Sequence, residues 1–321
     1  MKVFFIVAFC ILFVATILFV WYYFLADKND LKKAKKEFEI FGLKDGFVPQ
    51  GITFLKKQKK FLLSGYVSKK NSPSRIYVVD SETYKLEKYV TLSFVGGKFY
   101  VGHAGGITNF AESVFVSSEG HVFRFLVSDL LDAKNGESVR ILENFKTFNN
   151  ADFCFVNDGF LWVGEFYKLG KRKTDVTHHI LLETGESCHA LAFAFPLSKC
   201  VTCGVEEKLP QKALALPDLA QGVAVSGDKI FVSCSHAVSK SNVFVYDNVL
   251  TKKSQKYVAI NEKKIDLFEI NSKNLQKTYV LPEMSEDVVF EDGRLFVVFK
   301  SAAKKYKFVA RTSLGFVFSI K

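Results

Sequence analysis

The stretch that decides the fold is Asp152-Phe153-Cys154-Phe155-Val156, followed by Asn157-Asp158-Gly159 and a second apolar run, 161–167. Asp-Gly between two apolar runs is a strong signal for a tight β-hairpin. We call this pattern a phrase: a short apolar strand, a tight turn and a more aromatic strand. The same phrase begins at four further positions: Gln50, Gly105, Gln221 and Glu286. Strand modules that recur at this size predict a β-propeller, in which four-stranded blades surround a central channel.

The five phrases divide the chain into five predicted blades. They begin near residues 50, 105, 152, 221 and 286, farther apart than a minimal blade of about 40–50 residues. Five blades fit best, and six are the alternative if a long interval hides another blade. The fourth interval holds one strand too many, which predicts an added hairpin arm. In blade two the predicted outer strand is 139–142.

The last predicted blade lacks its outer strand, because the final apolar run ends at the last residue, Lys321. Segment 37–43, which precedes the first blade, can supply that strand and pair the two ends of the domain. Such pairing would remove an exposed sheet edge. The predicted organisation is a transmembrane anchor over 1–26, a charged stalk over 27–36 and an all-β propeller over 37–321.

The anchor is predicted from a run of 24 uncharged residues, 3–26, which is long enough to cross a bilayer as a helix. Trp21, Tyr22 and Tyr23 stand near its end, where membrane helices carry aromatic belts. An uncleaved single-pass anchor is favoured over a signal peptide, because Phe24 occupies a position that needs a small residue for cleavage. The lysines after the run favour a cytoplasmic domain, but one apolar segment before a large β domain favours export. We expect an extracytoplasmic propeller held at the membrane.

The chain of 321 residues has a net charge of +11, from 44 Lys and Arg against 33 Asp and Glu. Most lysines are scattered over predicted turns, which is typical of a solvated surface with protected sheet edges. An anionic partner is the alternative, and no nucleic-acid-binding motif accompanies the charge. For the CxxC pair Cys200-Val201-Thr202-Cys203, a local disulfide or two free thiols are favoured over a redox or zinc site.

Polar residues stand where the inner strands of the predicted blades begin, and these starts converge on one mouth of the channel. They are Gln50, His103, Asp152, Gln221, Glu286 and Asp287. A convergent polar ring is the usual position of a ligand, although a water-filled channel needs a polar lining as well. We therefore predict a small-molecule or protein ligand at this ring, with Asn150 and Glu165 close by.

The alternative function is catalysis at the same ring by a hydrolase or a cyclotransferase. Glu165 or Glu286 would then be the general base, and His103 or Asp152 would orient the substrate or a metal. Carboxylate and amide oxygens suit Ca²⁺, and His103 would add affinity for Zn²⁺ or Mn²⁺. Binding without chemistry is favoured, because the sequence contains neither a G-x-S-x-G nucleophile elbow nor another complete catalytic motif.

Two resemblances to known proteins accompany these residues. The phrase from Pro49-Gln50-Gly51 to Arg75-Ile76-Tyr77-Val78-Val79-Asp80 is similar to the opening blade of plant-type glutaminyl cyclotransferases, which are five-bladed propellers. Segments 102–106, 162–166, 221–223 and 301–306 resemble uncharacterised secreted bacterial propeller proteins. The second resemblance spans most of the domain and implies the propeller fold and export, but no activity.

Overall fold

The structure, a computed structural model, describes residues 7, 9–17, 29–200, 202–254 and 256–321. Within them the chain forms a five-bladed β-propeller, which confirms the prediction of five blades. Blade one consists of β2 (Phe47–Leu55), β3 (Lys60–Val67), β4 (Arg75–Asp80) and β5 (Leu86–Ser93). Blade two consists of β6 (Gly106–Phe110), β7 (Ser113–Ser118), β8 (His121–Leu126) and β10 (Glu143–Lys146). Blade three consists of β11 (Phe153–Asn157), β12 (Phe160–Gly164), β15 (Ala190–Pro196) and β16 (Lys212–Leu216).

The last two blades close the ring. Blade four consists of β17 (Ala220–Ser226), β18 (Lys229–Cys234), β19 (Ser241–Asp247) and β22 (Leu275–Leu281). Blade five consists of β23 (Ser285–Glu291), β24 (Arg294–Phe299), β25 (Phe316–Ile320) and, from the other end of the chain, β1 (Lys35–Glu39). Lys35 pairs with Ser319 and Glu39 with Phe316, so an N-terminal strand completes the last sheet. This strand begins and ends earlier than the expected 37–43, because residues 41–46 already turn towards blade one.

Five further strands of the described chain lie outside the four-stranded blades. A hairpin of β20 (Lys256–Ile260) and β21 (Lys263–Glu269) is the expected added arm, and β21 pairs in parallel with β16 of blade three. A two-stranded hairpin, β13 (Ile180–Leu181) and β14 (Ser187–Cys188), lies in the long loop of blade three. The prediction of 139–142 as the outer strand of blade two is wrong. Instead β9 (Ser138–Arg140), which follows an α-helix at Val127–Asp132, pairs in parallel with β5 of blade one.

The segment before the propeller is described from Asn29 onward. Asp30–Lys33 forms a 3₁₀ turn whose first residue accepts a hydrogen bond from the backbone N–H of Val280 at 3.0 Å. The chain therefore enters the domain along β22, the outer strand of blade four. Of the predicted anchor, residues 7 and 9–17 are helical, and the rest of 3–26 lies outside the described residues. No helix found among the described residues has the length and apolar character needed to span a membrane.

The hydrophobic core lies between the blades and not on the axis. Five apolar clusters occupy the junctions between neighbouring blades, including the junction that closes the ring. At that junction Phe38 of β1 packs on Phe61 of blade one, with ring centroids 5.0 Å apart. Full burial of a phenylalanine side chain stabilises a fold by about 1.5–3 kcal/mol. The ring is thus held closed by the same apolar packing that joins the other blades.

The inner strands approach one another closely around the axis, and glycines permit this. A Cβ on Gly106 would lie 2.4 Å from the backbone nitrogen of Cys154 in the next blade. A Cβ on Gly222 would lie 2.1 Å from a carboxylate oxygen of Asp287. Real side chains do not tolerate such distances, so these positions need glycine.

Five cysteines lie in the described part of the propeller, two in a disulfide and three as free thiols. Cys200 and Cys203 form a disulfide in an exposed loop. Cys154, Cys188 and Cys234 are buried thiols, and burial raises the pKa of Cys154 and of Cys188 to about 12. Thiols with such pKa values are poor nucleophiles at neutral pH.

Candidate functional site

A cavity of about 840 Å³ lies at the mouth of the channel where the inner strands begin. All five blades contribute to its wall, through the starts of inner strands and through the loops between second and third strands. Six residues singled out from the sequence line it: Gln50, His103, Asn150, Asp152, Gln221 and Glu286. Two others, Asp287 and Glu165, lie outside this wall. The predicted convergence of polar groups on one cavity therefore holds for six of the eight positions.

β-bulges place three of these side chains at the mouth. The register between first and second strands shifts at Gln50 in blade one, at Gln221 in blade four and at Glu286 in blade five. A bulge inserts an extra residue into one strand, and bulges near functional sites commonly redirect a side chain. Here the inserted residue is polar each time, although both of its neighbours in the strand are buried.

The turns that lead into the inner strands share an uncommon backbone conformation. Four residues with a Cβ have positive φ there: Ala104 (49°), Ala151 (54°), Leu219 (68°) and Met284 (65°). Such left-handed conformations cost of order 1–3 kcal/mol in non-glycine residues, and the surrounding structure must hold them. Each stands one to three residues before a polar or glycine position at the mouth. This backbone conformation therefore helps to direct the polar side chains at the starts of these inner strands into the cavity.

Two carboxylates of the wall, the buried Glu286 and the half-buried Asp152, differ in their partners. Glu286 is 3% exposed and forms an ion pair with Lys300. Burial raises the pKa of Glu286, although Lys300 acts in the opposite direction. Asp152 accepts a hydrogen bond from the backbone N–H of Phe166 at 2.8 Å, and Arg172 lies 3.8 Å from its other oxygen. Burial raises the pKa of Asp152 to about 6, so this carboxyl can exchange a proton near neutral pH.

Asp287 is directed into the ring and joins two blades. One carboxylate oxygen accepts from the backbone N–H of Ile52 in blade one at 3.2 Å, and the other from that of Val288 at 2.9 Å. The residue is 1% exposed, and burial raises its pKa well above the usual range. Its contacts hold the inner strands of blades five and one together, whereas the sequence analysis placed it among the ligand-binding residues.

The cavity wall carries an excess of positive charge. Its cationic residues are Lys146, Lys171, Arg172, Lys173 and Lys300, and its acidic residues are Glu119, Asp152 and Glu286. Burial of the ring, followed by the positive charges of Arg172, Lys305 and Lys300, lowers the pKa of His103 to about 4. His103 is therefore uncharged at neutral pH. The positive potential of the cavity comes from its lysine and arginine side chains.

Aromatic rings form one side of the mouth. The rings of Tyr66 and His103 lie 4.5 Å apart, and the hydroxyl groups of Tyr66 and Tyr306 are 3.3 Å apart. Lys305 donates a hydrogen bond to the Tyr66 hydroxyl at 2.8 Å. Tyr66 thus contacts both His103 and Tyr306, two rings that line the cavity.

Metal binding, the alternative use of this ring, finds no support in the described residues. Nowhere among them do three or more His, Cys, Asp or Glu side chains come together as a metal site. Glu286 and Asp152 have cationic partners instead.

Several wall residues were missed by the sequence analysis. Lys300 and Tyr306 belong to the long loop of blade five, His236 to the corresponding loop of blade four, and Arg172 to that of blade three. These residues do not stand at the starts of inner strands, from which the site was predicted. Their loops follow the second strands and open onto the same mouth. The basic run Lys171-Arg172-Lys173 was a visible signal for this contribution.

Glu165 faces a neighbouring cleft of about 620 Å³, which shares Lys146, Asn149 and Asn150 with the central cavity. There Glu165 is hydrogen bonded to His178. The predicted role of Glu165 as a base at the central ring does not agree with this position.

Comparison with known proteins shows similarity in structure alone. No protein-family model and no curated protein match the chain. It is similar to a glutaminyl cyclase of Myxococcus xanthus, with 11% identity over 90% of this chain and 93% of that one and a TM-score of 0.43. A tail fibre of Staphylococcus aureus phage P68 shows 11% identity over 89% of this chain and 51% of that one, with a TM-score of 0.46. The β-propeller domain of Cps50 (Swd1) from Myceliophteria thermophila shows 7% identity over 85% and 98%, with a TM-score of 0.37. The resemblance to propellers inferred from the sequence, a glutaminyl cyclase included, agrees with these findings, which carry no statement about activity.

Proposed function

We propose that the protein is a membrane-anchored, extracytoplasmic propeller that binds a small anionic molecule in the cavity at its mouth. The observation that carries this proposal is the convergence of polar side chains from every blade on one cavity of about 840 Å³. Small-molecule sites typically measure roughly 300–1,000 Å³ and combine concave shape with a few convergent polar groups. A small molecule therefore fits this enclosed site better than a protein partner.

The charge of the wall supports an anionic ligand. Lys171 and Lys173 form no ion pair within the described residues, and Arg172 has only a distant one with Asp152, at 3.8 Å. Since an arginine fork recognises carboxylates and phosphates in two-point geometry, Arg172 is the group that we expect to contact the ligand's anionic group. The uncharged His103 and the amides of Gln50 and Gln221 would then contact its neutral polar groups.

A second candidate function is hydrolysis or cyclotransfer at the same cavity. It is favoured by Asp152, whose pKa of about 6 suits proton exchange near neutral pH. Glu286, the other predicted base, is already paired with Lys300. Binding remains the first proposal, because no nucleophile or metal site accompanies these carboxylates among the described residues.

The proposed anchor is compatible with access to the cavity. The described chain enters the domain along β22, at the outer edge of blade four, where Asp30 contacts Val280. The mouth lies at the axis, among the starts of the inner strands. An anchor attached at the outer edge would leave the mouth open to ligand from the side of the membrane on which the domain lies.

The proposal is tested by anion binding to the full-length protein in detergent, with citrate and inorganic phosphate as probes. Calorimetry should detect binding, and thermal unfolding should shift upward with anion concentration, as expected for a ligand that binds only the folded state. Arg172→Gln should weaken binding by roughly tenfold or more, since a hydrogen bond to a charged group contributes about 1.5–3 kcal/mol.

The matched control is Lys264→Gln, which removes one positive charge from an exposed position on the added arm. It should bind both probes as the wild type does. The proposal is wrong if neither anion binds, or if the two variants and the wild type bind equally well, because the anions would then respond to net charge and not to the cavity.

A further inference from the structure

The cleft beside the central cavity contains a buried acid–histidine pair. Glu165, at the end of blade three's second strand, is 1% exposed, and His178, in the long loop of the same blade, is 3% exposed. Their side chains are joined by a hydrogen bond of 2.7 Å between His178 Nδ1 and Glu165 Oε1. Both residues line a cleft of about 620 Å³, in which Lys146 provides a positive charge.

The carboxyl group of Glu165 has two backbone partners besides His178. Oε1 also accepts from the backbone N–H of Leu191 at 3.1 Å, and Oε2 accepts from that of Asn150 at 3.4 Å. Both backbone partners are donors, so the two oxygens of Glu165 are held in place on either side of the carboxyl group.

The contact with Glu165 also orients the ring of His178. When Glu165 accepts this hydrogen bond, Nδ1 carries the hydrogen and Nε2 has the lone pair. The ring is further held by Phe193, whose centroid lies 5.2 Å away in an edge-to-face arrangement. The backbone is held by a 3₁₀ turn, in which Asp175 caps the N–H of Thr177. A histidine held in this way presents one basic nitrogen in a defined direction.

We propose that His178 is a general base in this cleft and that Glu165 is its positioning residue. The substrate class is an ester of a small carboxylic acid, with the acyl oxygen near Lys146. Nε2 would take a proton from a water, the water oxygen would bond to the acyl carbon, and the bond from that carbon to the leaving oxygen would break. The imidazolium then returns the proton to the leaving oxygen, so the products are an acid and an alcohol.

This activity does not depend on the proposed anion site. The cleft and the central cavity share part of their walls, but Arg172 lines only the cavity. A neutral ester that lacks an anionic group can therefore reach His178 whether or not the central cavity binds anions.

The test is hydrolysis of p-nitrophenyl acetate by the full-length protein, followed by release of nitrophenolate between pH 5 and 8. We expect His178→Gln and Glu165→Gln to lower the rate constant by about tenfold or more, since general-base catalysis contributes roughly 10²–10⁴-fold with well-placed substrates. His179→Gln is the matched control, because His179 is the exposed neighbour in the same loop. It should retain the wild-type rate and pH profile.

A second measurement keeps the proposal open to refutation if a variant misfolds. Diethyl pyrocarbonate transfers an ethoxycarbonyl group to a nitrogen with an accessible lone pair, and mass spectrometry locates the added group. In the folded wild-type protein His178 should react in spite of its burial. If His179 is modified and His178 is not, or if folded His178→Gln hydrolyses the ester at the wild-type rate, the pair is a structural contact of the loop and the proposal is wrong.

Discussion

The closure of the ring can be tested at Glu37, the central residue of β1. Its side chain is fully buried and accepts hydrogen bonds from Arg294 at 2.6 Å, Tyr84 at 2.7 Å and Ser319 at 2.5 Å. Ser319 lies on β25, which pairs with β1, Arg294 lies on the next strand, β24, and Tyr84 belongs to blade one. Glu37→Ala removes the contacts and leaves Arg294 without its carboxylate. Loss of one partner from a buried ion pair costs about 3–5 kcal/mol, and we expect a loss of that size.

The same contacts predict how this contribution depends on pH. Burial alone would raise the pKa of Glu37, but hydrogen bonds from Ser319, Tyr84 and Lys35, together with Arg294, lower it below the ordinary value of 4.5. Because the pKa is lower in the folded state, the contribution is present above pH 4.5 and is lost as the pH falls through the folded-state value. The difference in stability between wild type and Glu37→Ala should therefore shrink in acid.

The assay is urea and thermal unfolding of the full-length protein. A loss of about 3–5 kcal/mol should lower the midpoint temperature by roughly 6–15 °C in a domain of this size. Glu39→Ala is the control, because Glu39 is exposed on the same strand and should change stability by no more than about 0.5 kcal/mol. If Glu37→Ala unfolds within about 0.5 kcal/mol of the wild type, the pairing of the chain ends does not stabilise the ring as we argue.

Two further predictions concern Asp152 and the N-terminal apolar run. The pKa of Asp152 is raised from 3.8 to about 6 in the folded protein, so its contribution to stability is present below pH 3.8 and is lost as the pH rises through 6. The loss amounts to about 3 kcal/mol, at 1.36 kcal/mol per pKa unit, and Asp152→Asn should remove it. The prediction is contradicted if the urea midpoints of the two proteins change in parallel between pH 4 and 7. The full chain should stay in membranes after a carbonate wash, whereas a chain that begins at Asn29 should be released; release of both would rule out the anchor.

The blade pattern could be predicted because its signals are local. Asp158-Gly159 between two apolar runs sets a hairpin, and Asp292-Gly293 sets another in blade five. Both glycines have positive φ in the structure, as such turns require. Since every blade repeats the same local signals, errors at one blade did not disturb the count of five.

Pairings between distant segments could not be predicted in the same way. Segments 139–142 and 143–146 are adjacent, short and partly apolar, and periodicity does not tell which of them joins blade two. The structure pairs Ser138–Arg140 with blade one in parallel, a contact across about 46 residues that no local turn specifies. The added arm was expected from the excess of strands, but its attachment to blade three depends on packing between blades.

The orientation of neighbouring polar residues was also beyond the sequence. Glu286 and Asp287 are consecutive, and a regular strand would direct them to opposite faces. Only the bulge in blade five decides that Glu286 lines the cavity while Asp287 bonds to Ile52. His178 lies in a loop, where no periodicity indicates that its ring will be buried against Glu165.

Stability alone does not explain the Glu286–Lys300 pair. Replacing buried ion pairs with apolar residues is often neutral or stabilising by about 1–4 kcal/mol, because desolvation offsets the attraction. Asp287, the next residue, has a structural reason for its burial, since it joins two inner strands. Glu286 has no comparable contact in the described chain. It nevertheless lies in a β-bulge, two residues after Met284, whose backbone is left-handed. Three unfavourable local features thus have one common result, a carboxylate and an ammonium group held in the cavity wall. That result agrees with the proposed recognition of a polar ligand at the mouth.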